Sequence, residues 1–153
     1  QKEEMRLWRH QIPLKLNETW RHFWNQGGGK VGTDWWVPVN KIQEMMEYVY
    51  RTAPELKIPF FAFGHIGQGH PHVDYLCKNA EEKKRAQAAQ MQCSQRAGAL
   101  GGGVAGEHGI GKIYHHLLAL QWPSEKIEKM ARIKKEWDPH WILGRNNILI
   151  FDF

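Results

Sequence analysis

Two glycine-rich runs carry the side chains of this chain that are best suited to chemistry. The first, residues 64–72, reads GHIGQGHPH and places three histidines on one loop. The second, residues 101–111, reads GGGVAGEHGIG and places Glu107 beside His108. Imidazole and carboxylate groups bind zinc, iron and manganese, and a further histidine can transfer a proton near neutral pH. Together the two runs predict a divalent metal site with an adjacent proton acceptor.

The histidine run has the flexibility that a shared ligand site requires. His65 and His72 flank two glycines, and glycine tolerates the positive φ of a tight reversal, so both imidazoles can turn toward one point. His70 is an alternative ligand. The spacing alone leaves a second interpretation open, in which these histidines are ordinary surface or core residues.

The second run supplies an acid and a base. Adjacent side chains diverge in an extended segment, so one of Glu107 and His108 is predicted to bind the metal while the other faces the substrate. The run also contains the G-x-G-x-x-G pattern and a near match to a phosphate-binding P-loop. Neither follows a predicted strand, and Ile113 stands where a P-loop has Ser or Thr, so both nucleotide-binding motifs are rejected.

The composition is that of one folded domain spanning residues 1–153. Hydrophobic residues make up 42% of the chain, which is enough to build a core. A charged start predicts no signal peptide, and no apolar run is long enough to span a membrane. The net charge of +5 arises from 21 basic and 16 acidic residues that are interspersed, which disfavours nucleic-acid binding.

The two cysteines, Cys77 and Cys93, lack the spacing of a metal site. They are predicted to be free, buried thiols in a reducing compartment. We therefore expect a cytoplasmic protein, with peripheral association to a membrane left open.

The pattern of apolar residues predicts strands that alternate with helices, which is typical of an α+β fold. One or two helices are expected before residue 25, followed by a glycine-rich turn at 26–30. Strands are predicted at residues 31–39, with Trp35, Trp36 and Val37 in the core, and at 58–63, 73–76 and 148–153. Helices are predicted from Asn40, from Asn79 to about Gly98, over 114–120 and from Ser124 to Asp138.

Two of these helices carry apolar residues at helical spacing, which predicts that one face packs on the core. In the helix from Asn40 these residues are Ile42, Met45, Met46 and Val49. In the last helix they are Ile127, Met130, Ile133 and Trp137.

Four segments resemble the FAD-linked oxidases of the vanillyl-alcohol oxidase superfamily. The two glycine-rich runs match paired loop motifs of that family, and TDWWVP at 33–38 is similar to its strand that ends in Val-Pro. Residues 134–147 are similar to its C-terminal stretch. The resemblance implies part of an α+β cap domain, with a ferredoxin-like antiparallel sheet, helices on one face and a C-terminal helical tail. It also implies that the FAD-binding domain is absent from this chain and belongs to a missing segment or a partner subunit.

The resemblance further implies a reaction and the residues that perform it. His65, His72 and Glu107 would bind a divalent zinc, iron or manganese ion, and His108 would be the catalytic base. The enzyme would oxidise a 2-hydroxy acid, of the glycolate or D-lactate type, with hydride transfer to FAD. An electron acceptor protein or a quinone is a further expected partner. The alternative is a metal-binding or structural subunit of a flavoprotein complex, without catalysis.

Some positions depart from the family pattern near the substrate. His70 stands where the family usually has Asn, and Asp74 where it often has Asn. Near the C-terminal end, residues 144–146 (Gly-Arg-Asn) replace the familiar Asn-Pro-Gly. The metal-binding set is intact, whereas the groups that would bind the substrate carboxylate are altered. His70 and Arg145 are the candidate substrate-binding residues, with Lys30 as an alternative to Arg145.

Overall fold

The computed structural model of the protein describes residues 1–150, apart from the side chains of residues 12, 13 and 16. Its helices are α1 (Lys2–Arg21), α2 (Ile42–Thr52), α3 (Ala80–Ala99), α4 (Leu118–Gln121) and α5 (Ser124–Trp137). Its strands are β1 (Gly27–Gly32), β2 (Phe60–His65) and β3 (His70–Asn79). The strands form a three-stranded antiparallel sheet in the order β1-β3-β2, which confirms the α+β prediction.

The central strand β3 and its neighbour β2 form a hairpin. Their connection, residues 66–68, is a short 3₁₀ turn that ends at Gly69, whose φ is +71°. This left-handed conformation favours glycine. The strands predicted at 58–63 and 73–76 are present, although β2 lies two residues later and β3 is longer than predicted. The prediction that His65, His70 and His72 lie on a loop is therefore wrong, because all three belong to these strands.

The two faces of the sheet have different surroundings. Val73, Tyr75 and Cys77 alternate along β3 and belong to the buried apolar core, to which α2 and α3 also contribute. His72 and Asp74 point to the opposite face, because successive side chains of a strand alternate. The sheet thus separates the core from a polar face.

The first strand lies earlier in the chain than predicted. β1 covers residues 27–32, so the predictions of a turn at 26–30 and a strand at 31–39 are wrong. Glycine is required at Gly28, because a Cβ there would overlap the carbonyl oxygen of Cys77 on β3. Beyond β1 the chain leaves the sheet. Trp35 and Val37 are buried as predicted, whereas Trp36 is exposed.

The start of α3 and the face of α2 agree with the sequence pattern. The side chain of Asn79 caps α3 by accepting a hydrogen bond from the N–H of Glu82 at 2.9 Å. Met45 and Val49 of α2 are fully buried. Asn40 does not cap α2, which begins two residues later without a side-chain cap.

The last helix has the predicted bounds but not the predicted burial. α5 ends at Trp137, just before Asp138-Pro139. Ile133 is 50% and Trp137 81% exposed, so the prediction that both point inward is wrong. Residues 148–150 do not form the predicted strand, and residues 151–153 lie outside the described residues.

The remaining sequence predictions concern the thiols and the membrane. Cys77 and Cys93 are both free and buried, as predicted. Burial raises the pKa of each thiol to about 11. Among residues 1–150, none of the helices combines the length and the apolar character needed to cross a bilayer.

Candidate metal and proton-transfer site

The polar face of the sheet and one loop bring five of the candidate residues together. His65 ends β2, and His70 and His72 lie on β3. The register pairs His65 directly with His70. Glu107 and His108 lie on the loop that follows α3, and this loop approaches the β3 histidines.

A carboxylate that sequence reasoning missed anchors this loop. Asp34 lies just after β1 and is buried. Its Oδ2 accepts hydrogen bonds from the backbone N–H groups of Gly106 and His108, each at 3.0 Å. Its Oδ1 accepts a longer one from the N–H of Glu107, at 3.4 Å. Three successive N–H groups on one carboxylate hold the loop in a single conformation.

Glycine is required where the loop passes the sheet. A Cβ at Gly106 would overlap the imidazole of His70, so a larger residue would push the loop away. Gly109 has a φ of +70°, a left-handed conformation that favours glycine. The glycines therefore permit the close approach that Asp34 stabilises.

His72 has partners on both ring nitrogens. Nδ1 lies 3.0 Å from the carbonyl oxygen of Thr33, and Nε2 lies 2.7 Å from Oε1 of Glu107. A carbonyl oxygen only accepts, so Nδ1 must donate, and a neutral imidazole then presents the lone pair of Nε2 to the carboxylate. This arrangement needs a second proton or a cation between Nε2 and Oε1. Histidines that bind metals commonly donate their other nitrogen to such a carbonyl.

Glu107 faces further imidazoles. Its Oε2 lies 3.8 Å from Nε2 of His65, and its Oε1 lies 3.4 Å from Nε2 of His108. The hydrogen bond from His72 lowers the pKa of the Glu107 carboxyl below its usual value, against a smaller opposing effect of burial, and His70 and His108 add to the lowering. Glu107 is therefore a carboxylate at neutral pH and is available to bind a cation.

His70 lies behind this group. Its Nε2 is 3.1 Å from Oδ1 of Asp34, and its side chain is 7% exposed. Its ring meets that of His72 edge-on, with centroids 4.7 Å apart. Ligand atoms of Asp34, His70, His72 and Glu107 lie within 4.8 Å of one another, so these four residues form a second candidate metal set. The role of His70 in substrate binding stays a prediction.

His108 combines a fixed backbone with an accessible side chain. Its imidazole is 61% exposed, and its centroid lies 5.2 Å from that of His72. The predicted divergence of Glu107 and His108 is not observed. The backbone N–H groups of both residues bind the Asp34 carboxylate. Their side chains approach each other, with Nε2 of His108 3.4 Å from Oε1 of Glu107.

Two cavities meet at the contact between His72 and Glu107. The first has a volume of about 520 Å³ and is lined by His108, and the second has about 530 Å³ and is lined by His65. Phe63, His72 and Glu107 line both. The His72–Glu107 pair is therefore accessible from two sides.

Other lining residues distinguish the two cavities. The first is also lined by Lys30, Asp74 and Tyr114, and the second by Arg9 and His10 of α1. The structure does not bring Arg145 to either cavity. It lines a separate one of about 180 Å³, and its predicted role in substrate binding stays a prediction.

The sequence of this chain was compared with known protein families and with curated proteins. The family described as FAD linked oxidases, C-terminal domain, matches residues 1–148. The chain is similar to glycolate oxidase subunit GlcD of Bacillus subtilis, with 31% identity over 118 residues that cover 76% of this chain and 25% of that protein. It is also similar to D-lactate dehydrogenase of Anaerostipes hadrus, with 33% identity over 116 residues that cover 73% and 24%.

A third relative is the probable mitochondrial D-2-hydroxyglutarate dehydrogenase of Oryza sativa subsp. japonica, 27% identical over 117 residues that cover 74% of this chain and 20% of that protein. The chain thus spans about a quarter or less of the length of these curated relatives. The family match extends over nearly the whole chain and includes both glycine-rich runs. This chain therefore belongs to the FAD-linked oxidases and corresponds to their C-terminal domain.

Proposed function

We propose that this chain supplies the metal-binding and proton-transfer part of an FAD-dependent 2-hydroxyacid oxidoreductase. The observation that carries the proposal is the 2.7 Å contact between Nε2 of His72 and Oε1 of Glu107, with Nδ1 of His72 already bound to a carbonyl oxygen. When the His72 imidazole is neutral, Nε2 and Oε1 are both acceptors, and a divalent cation meets their need in place of a second proton. The three relatives are named for glycolate, D-lactate and D-2-hydroxyglutarate, which are all 2-hydroxy acids.

The ligands in this proposal are His65, His72 and Glu107, with zinc, iron or manganese as the ion. Two imidazoles and one carboxylate leave coordination positions open for a substrate. Both imidazoles reach Glu107, on different oxygens, which supports a shared ion. Asp34 and His70 suit a supporting role better, because Asp34 already accepts three backbone N–H bonds and contacts His70. A bound cation would supply Lewis acidity toward the hydroxyl oxygen of the substrate.

His108 acts as the base in this proposal. Its imidazole lines the first cavity beside the proposed ligands, and the unprotonated nitrogen of a neutral imidazole can accept a proton. Nε2 of His108 takes the hydroxyl proton while the hydrogen on C2 leaves with its electron pair, so that the C2–O bond becomes a carbonyl. A flavin held by an FAD-binding domain or partner subunit would supply the hydride acceptor.

Metal analysis combined with flavin reduction tests the proposal. The flavoenzyme that contains this chain is purified without a metal-affinity step, and its metal content is measured by elemental mass spectrometry. Its flavin is then mixed anaerobically with glycolate, D-lactate or D-2-hydroxyglutarate. We expect near-stoichiometric zinc, iron or manganese and reduction by at least one acid. Metal without reduction would favour the alternative of a metal-binding subunit without catalysis, and a folded protein without metal would overturn the proposal.

A further inference from the structure

A buried ion pair lies in the cavity that contains His108. Nζ of Lys30 donates to Oδ2 of Asp74 at 2.8 Å. The Asp74 side chain is only 4% exposed, and that of Lys30 is 35% exposed. Neither residue is a proposed metal ligand or the proposed base, so the proposed reaction assigns the pair no role.

The pair lies about one substrate length from the proposed metal site. Asp74 follows His72 by two residues on β3, and both side chains point to the polar face. Two residues of an extended strand span about 7 Å. A 2-hydroxy acid held through its hydroxyl and carboxylate by a cation at His72 and Glu107 would have room to extend its far end along the first cavity toward Asp74.

The Asp74 carboxylate occupies the space above β1. A Cβ at Gly32 would lie 2.7 Å from its Oδ1, so glycine at this position leaves room for it. Tyr114 lines the same cavity, and its hydroxyl donates to the carbonyl oxygen of Gly32 at 3.4 Å. Burial, with the added charges of Asp34 and Asp74, raises the pKa of Tyr114 to about 12, which fits a cavity wall of negative potential.

A second substrate carboxylate would need a positively charged side chain at the far end of the cavity. Among the described residues that line this cavity, Lys30 is the only lysine or arginine, and Asp74 already binds its ammonium group. A second carboxylate near Asp74 would meet a like charge in a poorly solvated place.

Resting on the proposed function, we infer that the Lys30–Asp74 pair makes the site selective for 2-hydroxy acids with a single carboxylate and disfavours those with a second carboxylate at the far end. Asp74 takes the place that a distal substrate carboxylate would occupy beside Lys30. A short apolar tail, or one that ends in a hydroxyl, fits this end of the cavity without a charge conflict.

Binding of two 2-oxo acids to the flavoenzyme tests this inference without turnover. Isothermal titration calorimetry compares pyruvate, which has one carboxylate, with 2-oxoglutarate, which has two. Asp74→Asn keeps the shape of the side chain and removes its charge. The double variant Lys30→Met/Asp74→Asn removes both charges, which leaves no unpaired buried ion. Glu44→Gln is the matched control, because Glu44 pairs with Arg96 and Lys41 outside this cavity.

The wild type should bind pyruvate more tightly than 2-oxoglutarate. Asp74→Asn should raise the affinity for 2-oxoglutarate relative to pyruvate by about tenfold or more, because it releases Lys30. The double variant should lose this gain, and Glu44→Gln should keep the wild-type ratio. An unchanged ratio in Asp74→Asn, or a wild-type preference for 2-oxoglutarate, would overturn the selectivity and leave the proposed function intact. Failure of the folded, metal-loaded wild type to bind either acid would overturn both.

Discussion

Nε2 of His70 lies 3.1 Å from Oδ1 of Asp34, and both side chains are almost completely buried. The same carboxylate accepts the backbone N–H groups of Gly106 and His108. Asp34 therefore links the central strand to the loop that carries the acid and the proposed base. Because glycines surround that loop, its conformation depends on this carboxylate more than on its own backbone preferences.

Asp34→Asn tests this anchoring role. The amide offers one oxygen where the carboxylate offers two, so a loop N–H or His70 loses its partner. We expect the free energy of unfolding to fall by about 1–3 kcal/mol, as is typical when a buried polar group is left unpaired. Urea unfolding measures the change. Glu128→Gln on the exposed side of α5 likewise changes an acid to its amide, at a position that is not buried. Equal losses of stability in the two variants would contradict the anchoring role.

His108→Ala removes the proposed base and leaves the loop in place, because it is the backbone N–H of His108 that binds Asp34. We expect the rate of flavin reduction by substrate to fall about 10²- to 10⁴-fold, the usual contribution of a general base. FAD and metal should stay bound. Stopped-flow absorbance measures the rate, and the visible spectrum reports the flavin content.

The control for this variant is His115→Ala. His115 is half-buried, its Nδ1 contacts the carbonyl oxygen of Lys112, and it does not line the first cavity. It should reduce its flavin at the wild-type rate. A normal rate in His108→Ala would remove His108 from the mechanism.

The fold could be predicted where neighbouring residues decide the structure. The cap at Asn79 depends on Glu82, three residues away, and the buried face of α2 depends on helical spacing. β1 could not be predicted in this way. Gly28 is required by a strand about fifty residues later in the chain, whereas its local pattern is typical of a turn.

For the site, too, features set by nearby residues could be predicted, whereas features set by distant residues could not. The glycine-rich runs identify His65, His72, Glu107 and His108 as residues for chemistry by their types and spacing. Asp34 was missed because its partners at Gly106 and His108 lie 72 and 74 positions away. An acid directly before the apolar run WWVP at 35–38 is the signal that could have found it.

The exposure of Trp137 on α5 was also missed. Helical spacing predicts that a helix has an apolar face, but it does not show whether another element covers that face.

His65→Ala separates the two candidate metal sets. His65 belongs to the proposed set with His72 and Glu107, whereas the group that contains Asp34 and His70 does not include it. We expect metal content to fall by about tenfold or more after equal dialysis, because removal of a ligand weakens binding beyond the effect of losing a supporting residue. Stability of the metal-free protein should change little, since the His65 side chain is 49% exposed.

Elemental mass spectrometry of parallel preparations measures this difference. His140→Ala is the matched control, because His140 is exposed, lies after α5 and does not line either cavity at the proposed ligands. Full metal content in His65→Ala would contradict the proposed set and favour the group with His70.

Asp138 yields a prediction about acid stability. Its carboxyl accepts hydrogen bonds from Nζ of Lys134 and from the backbone N–H groups of Ile142 and Leu143, the latter two at 2.9 Å. The bond from Lys134 is the main cause that lowers the pKa of Asp138 below its usual value. A carboxyl whose pKa is lower in the folded state binds fewer protons there than in the unfolded chain. Its stabilising contribution is therefore present above the unfolded pKa of about 4 and is lost as the pH falls through the folded pKa.

Asp138→Asn should remove this dependence on pH. At neutral pH the wild type should have the larger free energy of unfolding, because the amide cannot form the charged bond with Lys134. The difference should narrow as the pH falls below about 4, where the unfolded carboxyl begins to bind its proton. Chemical denaturation over a pH series measures both proteins, with Glu128→Gln as the exposed control. A constant difference across the series would mean that Asn destabilises the segment after α5 by shape alone, and that the charge of Asp138 does not contribute.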